Sequence, residues 1–156
     1  MAPSKRRIRV VVGDDSRTAL LSVCGYLEFE GQFEIVGAAT DGLQVMHQAE
    51  RFRPDLVLTD LSMPRMTGLE AAKELRKSFP ELRILIVTEW NGPSLEAECA
   101  RCGANGFVEK SRMPERLMEE VQRLFPKMGE EIDGTFPAMG FPAKNAADAS
   151  GSVTDD

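Results

Sequence analysis

Ile8-Arg9-Val10-Val11-Val12-Gly13-Asp14-Asp15 gathers β-branched apolar residues into one short run and then breaks on two carboxylates. A run of this composition reads as a strand, and one apolar at consecutive positions reads as a strand buried on both faces. Comparable runs recur at Phe33–Ala38, Leu56–Leu58, Ile84–Val87 and Gly106–Val108. Between them lie stretches with helical spacing. Ala19, Leu20, Val23, Cys24 and Leu27 repeat on one face, as do Val45, Met46 and Ala49, then Leu69, Ala72 and Leu75. Leu117, Val121 and Leu124 follow i, i+4, i+7, with Pro114 suited to a first helical turn.

The punctuation agrees. Asp41-Gly42 and Thr67-Gly68 each offer a capping side chain at a helix start, and Pro54 and Pro80 stop helices before strands. Five continuous apolar strands separated by helices predict an α/β domain, a five-stranded parallel sheet with helices on both faces. That domain is expected over 7–125, after a short N-terminal extension at 1–6. The remainder, 126–156, is acidic, rich in Pro, Gly and Ala, and without helical period, so disorder is expected there. Phe136, Met139 and Phe141 are its apolar exceptions and could dock on the domain or on a partner.

The chain of 156 residues is 42% hydrophobic and 28% charged, which fits one soluble globular domain. Its apolar runs are far shorter than the ~20 residues a membrane-spanning helix needs, and no apolar stretch follows the basic start, so the expected location is cytoplasmic. A net charge of −6 leaves only Lys5, Arg6, Arg7 and Arg9 as a basic cluster, which argues against direct DNA binding. Cys99-Ala100-Arg101-Cys102 has no second pair to complete a zinc site, and the one histidine, His47, is remote in sequence. Helix-facing thiols and a surface histidine are the expected readings.

In an open α/β sheet, ligands bind at the carboxyl ends of the strands. Asp14 and Asp15 follow the first strand, Asp60 ends the third, Thr88 follows the fourth and Lys110 the fifth. Clustered carboxylates repel one another, and a hard divalent cation relieves that repulsion; Mg²⁺ suits a few carboxylates together with phosphate oxygens. A carboxylate can also act as a nucleophile that forms an acyl phosphate. The charge on a transferred phosphoryl group needs a cation, an ammonium and a hydroxyl around it, which Mg²⁺, Lys110 and Thr88 would supply. The set as a whole points to phosphoryl transfer onto Asp60.

At these positions the sequence closely resembles the receiver domain of two-component response regulators. The likeness spans about residues 6–125. It rests on Val11-Val12-Gly13-Asp14-Asp15-Ser16, on Asp55-Leu56-Val57-Leu58-Thr59-Asp60-Leu61-Ser62-Met63-Pro64 with Met66-Thr67-Gly68, on Ile84-Leu85-Ile86-Val87-Thr88, and on Gly103-Ala104-Asn105-Gly106-Phe107-Val108-Glu109-Lys110. The resemblance implies a flavodoxin-like, doubly wound (βα)5 fold with strand order 2-1-3-4-5. It implies Asp60 as phosphoacceptor, Mg²⁺ (with Mn²⁺ as a substitute) on Asp15, Asp60 and the Ser62 backbone carbonyl, and Asp14 reaching the metal through water. Thr88 and Lys110 would hold phosphoryl oxygens. Thr88 and Phe107 would then shift together, changing the surface of the fourth helix, fifth strand and fifth helix. The implied partners are a sensor histidine kinase or histidine phosphotransfer protein and a downstream protein, with homodimerisation through the same surface.

The departures from the family pattern also inform the reading. Ser111 follows Lys110 where many members carry proline, and Lys-Ser-Arg-Met-Pro is similar to receivers that precede helix-turn-helix output domains (the LuxR/NarL class), although no such domain follows in this sequence. Phe107 lacks a tyrosine hydroxyl. Ser62 and Trp90 occupy the two positions that tune acyl-phosphate hydrolysis, and a large indole there is expected to slow the loss of phosphate. The expectation is therefore a switch, not an enzyme. An aspartate-nucleophile phosphohydrolase would want a second Asp at position 62, where Ser stands, and a non-phosphorylated docking module is the other alternative.

Overall fold

Each apolar run is a strand in the computed structural model, which describes residues 6–89 and 92–126. In chain order the elements are β1 (Ile8–Gly13), α1 (Arg17–Glu30), β2 (Phe33–Ala39), α2 (Gly42–Phe52), β3 (Leu56–Asp60), α3 (Gly68–Ser78), β4 (Arg83–Thr88), α4 (Leu95–Cys102), β5 (Gly106–Glu109) and α5 (Glu115–Leu124). Of the tail expected at 126–156, residues 127–156 lie outside the described residues. Residues 8–116 form one compact unit, while Arg6, Arg7 and residues 117–126 group separately. Within that second group Leu117, Val121 and Leu124 are buried, at the spacing read from the sequence. Pro114 stands just before α5 rather than in its first turn.

All pairings are parallel, and the order is β2-β1-β3-β4-β5, as the resemblance implied. β3 is buried along its whole length, which its unbroken apolar run requires. Val11, Val57, Ile84 and Ile86 point to one face and share a core with Val45 and Ala49 of α2, Ala71, Ala72 and Leu75 of α3, and Leu95 and Cys99 of α4. Val10, Val12, Leu56, Leu58 and Leu85 alternate to the other face and are equally buried. α1, which packs on β1 and β2, takes no part in the first core.

The caps follow the chemistry of the capping residues. Ser16, Asp41 and Thr67 each accept a backbone N–H at the start of α1, α2 and α3, and Thr67 with Glu70 completes a reciprocal capping box. Thr67→Ala should lower stability by about 1 kcal/mol, read as a lower urea midpoint at unchanged slope. α4 was not legible from periodicity, because its buried positions are only Leu95 and Cys99. Ser94 makes no side-chain cap there, whereas the other end is tied down. Arg76 donates to the carbonyls of Gly103 (3.0 Å), Phe79 (3.1 Å) and Pro80 (3.0 Å) and to Asn105 Oδ1 (2.9 Å). Gly103 carries the positive φ of 89° that ends α4, a conformation glycine adopts without strain.

Cys99 is buried on α4, and burial together with the neighbouring Cys102 and Glu98 pushes its thiol up to about 11. The Cys102 thiol donates to the Cys99 carbonyl at 3.2 Å, so both sulfurs sit as helix-packed thiols. His47 is exposed on α2.

Candidate functional site

Four strand ends bring the site together through register. Asp60 pairs with Val87 at the end of β3, and Thr88 pairs with Glu109 one step further along. Lys110 follows Glu109 directly, and Asp14 follows β1. The parallel sheet thus stacks these residues at one edge because each closes its strand at nearly the same height.

Asp14 is buried, and both of its oxygens are used. Oδ1 accepts the Ser16 N–H at 2.9 Å, and Oδ2 accepts the Lys110 ammonium at 2.7 Å. Asp15 is exposed. Asp60 is buried; its Oδ1 accepts the Leu61 N–H at 2.8 Å, while Oδ2 lies 3.6 Å from Lys110 Nζ. Carboxylate oxygens of Asp14, Asp15 and Asp60 lie within 4.8 Å of one another, the one such cluster among the described residues. Thr88 is buried at the end of β4, and Ser62 is exposed two residues beyond Asp60. Phe107 is half-buried and packs on the core that α2, α3 and α4 share. Trp90 lies outside the described residues.

Electrostatics follow from this packing. Burial raises the Asp60 pKa above the usual carboxylate value; Lys110 and the Leu61 N–H oppose the rise, and Asp14 and Asp15 add to it. For Lys110, burial works against the ammonium, but the Asp14 hydrogen bond and the charges of Asp60, Asp14 and Glu89 outweigh it and raise its pKa. The ammonium therefore leans toward Asp14, not toward Asp60, a preference that strand ends alone do not reveal. The donor set fits a hard divalent cation: three carboxylates converge, and the single charge of Lys110 does not neutralise them all.

The segment from Leu61 to Thr67 carries residues that sequence reading passed over. Arg65 has a positive φ of 70° and pairs with Asp41 at 3.6 Å. Gly42 and Gly68 leave no room for side chains, since a β-carbon would run into the Met66 carbonyl at 42 and into the Asp60 carbonyl at 68. Asp41-Gly42 signalled a helix start only, and nothing in the sequence marked Arg65.

Comparison with known proteins agrees with the geometry. Residues 10–122 match the response regulator receiver domain, and the chain belongs to that family. Among its relatives, the transcriptional regulatory protein DegU of Brevibacillus brevis is 28% identical over 119 residues, 76% of this chain and 50% of DegU. The oxygen regulatory protein NreC of Staphylococcus aureus is 29% identical, over 76% of this chain and 55% of NreC. The chain thus spans about half the length of these curated relatives, which belong to the helix-turn-helix class that the residues after Lys110 suggested. Among solved structures, the receiver domain of NarL from Mycobacterium tuberculosis superposes with a TM-score of 0.72 at 29% identity, covering 76% of this chain and 95% of that one. The chemotaxis protein CheY4 of Vibrio cholerae gives 0.68 at 30% identity, covering 76% and 98%. Receiver domains are phosphorylation-regulated signalling switches that bind Mg²⁺ at an Asp cluster and interact with histidine kinases and phosphotransferases. No described helix is long and apolar enough to cross a membrane.

Proposed function

We propose that Asp60 accepts a phosphoryl group from the phosphohistidine of a sensor kinase or phosphotransfer protein, and that this biases a two-state surface read by a protein partner. The observation that carries the reading is the Asp60 carboxylate itself, buried at a strand end among Asp14, Asp15 and Lys110. Oδ1 is committed to the Leu61 N–H, so Oδ2 is the nucleophile. It attacks phosphorus as the donor's N–P bond breaks, and that electron pair leaves on the imidazole nitrogen. Lys110, already near Oδ2, turns its ammonium to a phosphoryl oxygen, and the Thr88 hydroxyl donates to another. Asp14, Asp15, Asp60 and the Ser62 carbonyl would hold Mg²⁺, which when bound neutralises charge between the carboxylates and the phosphoryl oxygens.

Drawing Thr88 toward the phosphoryl group opens space toward β5, and Phe107 moves inward with it, altering the surface around α4 and β5. Phe107 gains packing in that state without a hydroxyl hydrogen bond. The donor's own docking is supported by an apolar hollow of about 260 Å³ beside Lys110, lined by Ala19, Val23, Tyr26, Met113 and Pro114. Leu21, on the same helix α1, is 71% exposed. The protein performs phosphoryl uptake and slow loss only, in the cytoplasm, with no turnover of other substrates.

Incubation with a small phosphodonor and Mg²⁺, followed by intact mass, tests this. One added phosphate on the wild type and none on Asp60→Asn is the expected result. No mass change with any donor would instead favour a docking module, and multiple turnover of phosphate esters would favour a hydrolase.

A further inference from the structure

The loop that follows Asp60 is held in an unfavourable shape from outside. The Met66 N–H donates to the Pro64 carbonyl at 2.7 Å, which closes a three-residue turn around Arg65 at φ 70°. A residue other than glycine with positive φ at the centre of such a tight turn is unfavourable and persists only where its surroundings impose it. Those surroundings are the start of α2. Asp41 is buried and divides its carboxylate, giving Oδ1 to the Gln44 N–H at 2.8 Å and Oδ2 to Arg65 at 3.6 Å. Gly42 lets the Met66 carbonyl press against the helix, and the Gly68 N–H returns to the Leu61 carbonyl at 2.9 Å. Leu61 to Gly68 is thus a closed loop, pinned to α2 on one side and to the Asp60 backbone on the other. Ser62 stands inside it.

We infer that Asp41 and Arg65 are positioning residues for the divalent cation: by holding the turn, they set the Ser62 carbonyl against the carboxylates of Asp15 and Asp60. The inference rests on the cation site proposed above. It makes Mg²⁺ affinity depend on an ion pair, buried at Asp41 and exposed at Arg65, that is not itself among the proposed cation ligands. Because the pair is exposed on the Arg65 side, its effect should fall at or below the low end of what outer residues contribute to metal sites, about three- to tenfold in Kd.

Charge and positioning predict opposite signs for one variant. Arg65→Gln removes a positive charge from the protein and so makes it more negative, which by simple electrostatics would tighten Mg²⁺ binding, whereas loss of positioning weakens it. MgCl₂ titrated calorimetrically into the full chain, with no phosphodonor present, reads this directly. Arg65→Gln and Asp41→Asn should each weaken binding about three- to tenfold, the double variant should be no weaker than the worse single one, and Arg65→Lys should recover part of the loss. Asparagine caps a helix as well as aspartate, so Asp41→Asn isolates the ion pair from the α2 cap. Binding by Arg65→Gln that is tighter than, or within about twofold of, the wild type would overturn the inference. Asp60→Asn is the control: its loss of Mg²⁺ binding alongside an unchanged Arg65→Gln sinks the positioning role alone, whereas a wild type that takes no Mg²⁺ sinks the site and the positioning role together.

Discussion

Asp60→Asn is expected to melt roughly 3–8 °C above the wild type at pH 7 in metal-free buffer, a gain of about 1–2 kcal/mol. Burial, with Asp14 and Asp15 adding to it, raises the Asp60 pKa, so the folded protein favours the protonated acid. That preference contributes stability below the unfolded-state value near ~3.9 and is lost as pH rises through the folded value. At neutral pH the wild type therefore holds an ionised carboxylate under tension, which the amide does not. Lys110 keeps its shorter contact, to Asp14 at 2.7 Å, in either protein. The gap between the two melting curves should widen as pH rises through the folded Asp60 value and close below about pH 4. Saturating Mg²⁺ should narrow or invert it, since a ligand at a hundred times its Kd stabilises by about 2.7 kcal/mol and the variant lacks a ligand oxygen. An Asn variant that melts below the wild type in chelator would contradict this account of Asp60.

Removing the ammonium should have the opposite effect. Lys110→Ala leaves Asp14 and Asp60 buried with no cation between them, and we expect a loss of about 2–3 kcal/mol in metal-free buffer, discounted because Lys110 keeps some solvent contact. The Lys110 pKa is raised, so its contribution is fully present below the unfolded lysine value near ~10.4 and is lost as pH climbs through the folded value above it. Across neutral pH the deficit should thus be constant. Mg²⁺ should rescue the variant by more than it stabilises the wild type, because in the wild type the cation must displace the Lys110–Asp14 contact, while in the variant it meets bare carboxylates. Thermal melts of both proteins in chelator and in MgCl₂ measure this; equal melting temperatures in chelator would refute it.

The strands and the convergence of polar residues at their ends were legible because a parallel sheet buries both faces and aligns its carboxyl ends. Apolar runs that stop on Asp14, Asp60, Thr88 and Lys110 therefore announce fold and site together. What stayed hidden depends on contacts between segments distant in sequence. Lys110 and Asp14 are 96 residues apart, and nothing local favours that pairing over Asp60. Arg65 opposite Asp41 is equally silent, since a surface arginine in a loop has no periodicity to read. α4 was faint for another reason: with Leu95 and Cys99 as its buried positions it carries too little apolar pattern to stand out. The expectation for Trp90 and that for the tail concern residues outside those described.

The two ends of α4 are anchored unequally. Its last turn is fixed through Gly103 to the fan of hydrogen bonds from Arg76, whereas Ser94 leaves the first turn without a side-chain cap, six residues after Thr88. The free energy of opening is therefore expected to be lowest at the uncapped end, the one nearer Thr88 in the chain. On the proposed mechanism, a small displacement of Thr88 would meet the soft end of a lever whose fulcrum is Arg76, so one turn of helix would be remodelled while the anchored end keeps its place.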